Sequence, residues 1–278
     1  QIDDLTVGAE AKLSTESDYD SKYVGVRAQL ELFQKNTVVG LGGGLSFDTV
    51  SAAASQGPAM ITLRCDAARP TETECGLDVY AVYGSVSQLL GPNTVLGATI
   101  DIATLRGFQS NPYRQAIVGE SFVPERHPTE RTRQAFAVSA RYYVEATHTA
   151  VIGAYRYYRD DWQVHAHTPE LRFVQELGRD VDLALRYRYY TQDGAYFFHP
   201  RYPADDTAMT QFVTDDVKLS SFTGQAFEAK AGVLGDLVHL PGRWAAARFE
   251  AILEYAIQNN RFGNAVIAHV ALTIPFSY

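Results

Sequence analysis

Apolar and polar residues exchange places at every second position over most of the chain, the period of a strand with two unlike faces. Leu5, Val7, Ala9, Ala11 and Leu13 share one face of the first stretch, with Thr6, Gly8, Glu10 and Lys12 opposite. Phe249, Ala251, Leu253, Tyr255 and Ile257 likewise oppose Arg248, Glu250 and Glu254. In the last stretch Val266, Ala268, Val270, Leu272, Ile274, Phe276 and Tyr278 fall on one side. About twelve such segments follow one another, joined alternately by short turns and long links. Gln34-Lys35-Asn36, Gly91-Pro92-Asn93 and Gly178-Arg179 supply turns, and the long loops are expected at about 51–76, 107–131 and 191–216.

The faces differ in what they exclude. Taking the apolar partner as the outside sends Arg27, Asp101, Arg141, Arg156, Glu170, Arg172, Asp182, Arg186, Arg188, Glu228, Lys230, Arg248, Glu250 and Glu254 to one inner side. Lipid cannot accept a row of charges whereas a lumen can, so the expected fold is an all-β, transmembrane, antiparallel up-and-down β-barrel of about twelve strands. Its long loops would be extracellular and its short turns periplasmic, with residues 1–278 as one domain. A soluble sandwich shows the same alternation with the charges outside. Segments of ten or more residues, aromatics near their ends and the aromatic terminus favour the membrane. Trp162 with Tyr155 and Tyr157 is expected in one interfacial girdle, and Trp244, Phe33 and Tyr278 in the other. The remaining strands are expected to close against the last one.

Composition agrees. Tyr (17) and Phe (14) are abundant while Met and Trp number 2 each, which suits strands. No apolar run approaches the ~18 residues of a membrane helix. A start at Gln1 is expected of a mature, exported chain after signal removal. In that compartment Cys65 and Cys75 read as a disulfide, with two free thiols as the other reading. The net charge of -8 argues against a nucleic-acid binder, because no basic stripe is available to neutralise phosphates.

Three motifs are more specific: Ser110-Asn111-Pro112-Tyr113-Arg114, Arg156-Tyr157-Tyr158-Arg159-Asp160-Asp161-Trp162 and Arg186-Tyr187-Arg188-Tyr189-Tyr190-Thr191-Gln192. From Asp78 onward the chain resembles an uncharacterised family of outer-membrane β-barrel proteins, a domain of unknown function often encoded beside a small lipoprotein, a thioredoxin-like protein and an FMN transferase. The resemblance implies a barrel in the outer membrane of a Gram-negative bacterium and a place near extracytoplasmic flavin chemistry. It supplies neither an activity nor a site.

The arginine-rich inner face is the main chemical feature. Arg141, Arg156, Arg172, Arg186, Arg188 and Arg248, with Glu170 and Glu250, are the candidate solute-facing residues of a narrow, charged channel. The competing reading is a ladder of ion pairs that fills the lumen, in a barrel that anchors a lipoprotein or surface assembly. The expected surroundings are outer-membrane lipid and lipopolysaccharide. Catalysis has little support: G-x-S-x-G, HExxH, phosphate-loop and dinucleotide patterns are missing, and His165, His167 and Ser221 are the only raw material for a lipase. His165 and His167 form a weak metal pattern, and no metal or cofactor is expected. Asp205-Asp206 and Asp215-Asp216 read as solvated acidic loops rather than cation sites.

Overall fold

The computed structural model describes residues 2–51, 63, 65, 73–204 and 212–275, without the side chains of residues 2 and 3. Twelve strands form one antiparallel sheet whose spatial order follows the chain. They are β1 (Ile2–Thr15), β2 (Tyr19–Leu32), β3 (Thr37–Ser51), β4 (Glu74–Gly91), β5 (Thr94–Gly107), β8 (Glu130–Val144), β9 (Thr149–Asp160), β10 (His165–Leu177), β11 (Val181–Gln192), β12 (Phe222–Leu234), β13 (Arg248–Gln258) and β14 (Ala265–Thr273). The connection between β5 and β8 carries a small hairpin of its own, β6 (Gln115–Val118) with β7 (Ser121–Pro124), which the alternation did not predict. The up-and-down path puts the long connections after β3, β5 and β11 at one end of the sheet. The turns after β2, β4, β8 and β10 lie at the other, together with the longer link of residues 235–247.

Burial inverts the soluble pattern. Along β13 exposure alternates residue by residue, with Phe249, Ala251, Leu253, Tyr255 and Ile257 exposed and Arg248, Glu250, Glu254 and Gln258 partly covered. Val270 is 87% exposed, Leu13 80% and Val7 70%. In water such a face would forfeit the hydrophobic term that drives folding; against acyl chains it costs nothing. On the opposite face Tyr83 lies over Gly42 and Tyr23 over Gly44, where a Cβ would collide with the ring.

The expected closure is not formed: among the described residues no ladder joins β1 to β14. All nine residues of β14 are exposed, so both edges still offer their outer backbone groups. Phe276 and Tyr278, which extend the last outward row, lie outside the described residues.

A conventional core exists at the long-loop end. Trp162, Val164, Ala195, Phe197 and Leu219 form one cluster, and Ala116, Val118, Tyr202 and Val213 a second. Val50, Leu63, Cys75 and Phe108 form a third, pinned by the Cys65–Cys75 bridge. Gly107, at φ +120°, turns the chain from β5 into this cap, and a side chain there would strike the Gly76 carbonyl. Trp162 is only 3% exposed, so it belongs to the cap rather than to a lipid-facing girdle. Its position directly after β9 turns the ring inward over Arg131, whose guanidinium lies 4.0 Å from the ring centroid. Tyr155 remains on the outer face beside His167, with Tyr157 5.2 Å from the same imidazole, and Phe33 and Trp244 are exposed at the opposite end.

Candidate functional site

The pairing register brings the charged face together. Arg141, Ile152, Arg172, Arg186, Glu228 and Glu254 occupy one continuous row from β8 to β13. Arg186 Nη2 lies 2.7 Å from Glu228 and 2.6 Å from Glu254, and its Nη1 3.9 Å from Glu170. Glu170 is also 3.8 Å from Arg172. One step toward the short turns, Lys230 reaches Glu250 at 2.6 Å, and Arg248 joins Asp182 to Glu250, the latter at 3.0 Å. Five of the eight predicted residues thus lie in ion pairs, Arg172, Arg186 and Glu170 in the group around Arg186, and Arg248 and Glu250 in the group nearer the short turns. Arg141, Arg156 and Arg188 have no carboxylate within ion-pairing distance among the described residues; Arg156 instead stacks 5.6 Å from the Tyr158 ring. Arg188 is directly opposite Glu170 in register, yet Glu170 is drawn toward Arg172 and Arg186.

A second polar assembly, which alternation could not reveal, sits inside the cap. Glu125, 5% exposed, accepts the Asn111 N–H at 3.0 Å, hydrogen-bonds Thr214 and lies 3.5 Å from Arg114. His127 donates from Nδ1 to the Gln109 carbonyl at 2.9 Å, an atom that can only accept. Its Nε2 faces Thr214 Oγ1 at 3.1 Å and Glu125 at 3.2 Å. Burial pushes the Glu125 carboxyl upward, but hydrogen bonds from His127, Thr214 and the Asn111 amide outweigh it and hold the group down at about 2. Tyr202 donates to the Phe197 carbonyl at 2.8 Å and accepts the Thr214 N–H at 2.9 Å; burial raises its pKa. Thr214 is 1% exposed, so this Thr-His-Glu set fastens two loops together instead of presenting a nucleophile.

Asp160 completes the cap. It receives Arg131 Nε at 2.9 Å, Tyr158 Oη at 2.7 Å and the Val164 N–H at 3.0 Å. The sequence motifs therefore meet here: Asn111 and Arg114 from the first, Tyr158, Asp160 and Trp162 from the second. Gln192 from the third donates to the Lys218 and Ser220 carbonyls. Of the acidic pairs, Asp215 is taken by Arg261 at 2.6 Å and Asp216 by Arg114 at 2.7 Å; Asp205 and Asp206 lie outside the described residues. Outside the cap, His165 lies 3.5 Å from Asp193. Among the described residues no group of three or more His, Cys, Asp or Glu side chains is arranged to hold a metal.

The sheet resembles solved outer-membrane barrels. A mutant ferric enterobactin receptor of Pseudomonas aeruginosa in complex with enterobactin superposes with TM-score 0.50 at 11% identity, over 96% of this chain and 41% of that one. CdiB from Acinetobacter baumannii gives 0.51 at 11% identity, over 98% of this chain and 47% of the other. The chain spans less than half the length of both, and the likeness is one of fold. OmpT of Vibrio cholerae, at TM-score 0.41 and 11% identity, is matched over 99% of this chain and 96% of its own. No curated protein matches. The family described as protein of unknown function (DUF3570) matches residues 1–251, so it includes the first 77 residues, where the sequence motifs had given no resemblance. The chain belongs to this family of uncharacterised proteins.

Proposed function

We propose that the protein is a barrel in the outer membrane of a Gram-negative cell, and that its charged inner face passes small anionic or zwitterionic solutes. One observation carries this reading: among the described residues Arg141, Arg156 and Arg188 stand on the inner wall without carboxylate partners while their neighbours are paired. Unpaired guanidinium groups on a wetted wall attract anions and lower the barrier to their entry. Passage requires β1 and β14 to meet, because a bilayer leaves no sheet edge open. Lipid and lipopolysaccharide are then the neighbours of the outward apolar face.

The ladder around Arg186 favours a second reading, in which the inner face is closed by ion pairs and the barrel anchors a lipoprotein or another outer-membrane protein. Neither reading makes the protein an enzyme. Conductance in a planar bilayer under a salt gradient separates them. Discrete anion-selective openings, losing selectivity in an Arg141→Gln/Arg188→Gln double variant, are the expected result. Folded protein that carries no current, and co-purifies with a stoichiometric partner, would replace passage with anchoring.

A further inference from the structure

The inner face holds one dent of defined chemistry. A cavity of about 390 Å³ opens on β11, β12 and β13, lined by Arg188, Tyr190, Phe222, Gly224, Glu254 and Gln258 among others. That volume lies within the range of small-molecule sites. Its position follows from the register. Arg188 shares a row with Ala226 and Ala256, and Tyr190 the next row toward the loops with Gly224 and Gln258. Small residues on two adjacent strands leave the floor bare, and larger side chains stand around it. Above, Gln192 ties β11 to the carbonyls of Lys218 and Ser220 in the cap; below, Arg186 holds Glu254 at 2.6 Å. The dent therefore lies between the cap and the ion-pair ladder, where a solute entering from the long-loop end meets it first.

Its lining is unequal in charge. Glu254 is already engaged by Arg186, whereas Arg188 lacks an ion-pair partner among the described residues, so the available charge is positive. Tyr190 and Phe222 set an apolar wall beside it, their ring centroids 5.2 Å apart and their planes tilted by 36°. A guanidinium beside two rings and an amide suits a carboxylate carried on a planar ring: the cation takes the carboxylate and the rings take the flat apolar body. We infer that this dent is a binding subsite for small aromatic carboxylates. The inference rests on the passage reading and deepens it, since it names the solute class that the inner face would retain.

Calorimetric titration of the detergent-folded protein at pH 7 with sodium benzoate tests it, with acetate and chloride as comparison ions. Saturable benzoate binding is expected, and Arg188→Gln should weaken it by about tenfold or more, the loss of a charge-assisted hydrogen bond. Gly224→Met, which keeps the charge but fills the dent, should weaken it as well. A Cβ at Gly224 meets nothing closer than 3.6 Å, so this change leaves the sheet intact. Benzoate binding that survives both substitutions, or that acetate and chloride match, overturns the subsite even if the protein conducts. Binding lost in both variants, in a protein that carries no current, supports the subsite while removing passage.

Discussion

The cap and the wall of this protein solve the burial problem in opposite ways. At the long-loop end Trp162, Phe197, Tyr202 and Val213 are packed out of solvent, and the Asp160 and Glu125 carboxylates beside them are held by Arg131, Tyr158 and the Asn111 N–H. Along the strands Leu185 is 60% exposed, Leu253 55% and Val26 65%, while on the other face of β13 Arg248, Glu250 and Glu254 are partly covered. The cap is folded by the protein's own hydrophobic contacts. The wall is a two-sided sheet that needs lipid on one side and water on the other. Substitutions in the two regions should therefore answer to different environments.

The largest separation is expected from Arg131→Ala, which leaves Asp160 buried without its cation at a cost of about 3–5 kcal/mol. Hydrogen exchange should show the cap opening while the amides of β12 and β13 keep their protection. The complementary test on the wall is Leu185→Arg. Near the middle of an outward row, it should cost about 2–4 kcal/mol in urea titrations of the protein in liposomes. A loss of that size with an unchanged cap would confirm that the wall leans on lipid.

Acid should act on the cap next. Glu125 is held at about 2, below its ordinary 4.5, so its contribution is complete above pH 4.5 and is lost as pH falls from there toward 2. The contribution is about 3 kcal/mol. A Trp244→Phe variant leaves Trp162 as the sole tryptophan. Its emission should shift red on acidification in that window, and Glu125→Gln should abolish the pH dependence. The smallest effect is expected on the wall ladder, where Arg186, Glu228 and Glu254 are each about one-fifth exposed. Arg186→Gln leaves two carboxylates facing each other in register, for a loss of about 1–2 kcal/mol. High salt should reduce that loss, whereas it should leave the Arg131 effect in place.

The same division explains what was legible in the sequence. Strand number, faces and loop positions follow from a period of two, so Leu183, Leu185 and Tyr187 could be placed outside and Arg186 and Arg188 inside. The ladder was legible as a list of inward charges; which arginines are paired depends on register, and register is invisible to alternation. The cap was hidden for a different reason. Glu125, His127, Tyr202 and Thr214 lie on irregular loops without period, and they meet only because β5, β9 and β11 end at the same rim of the sheet. Trp162 was misplaced on the same account: a tryptophan at a strand end reads as an interfacial anchor, and only the packed loops turn it into core. Closure of the sheet was expected from the alternation, and among the described residues no ladder joins β1 to β14.

The central claim is that one face of the sheet meets lipid and the other water. It is tested most directly by single cysteines at Leu185 and Ala184, neighbours on β11 whose side chains point to opposite faces. The native cysteines are bridged and stay silent toward thiol reagents. In liposomes a charged, membrane-impermeant maleimide should label Ala184→Cys and spare Leu185→Cys, which a lipid-soluble reagent should reach. Rapid labelling of Leu185→Cys by the charged reagent would place the apolar face in water and contradict the account.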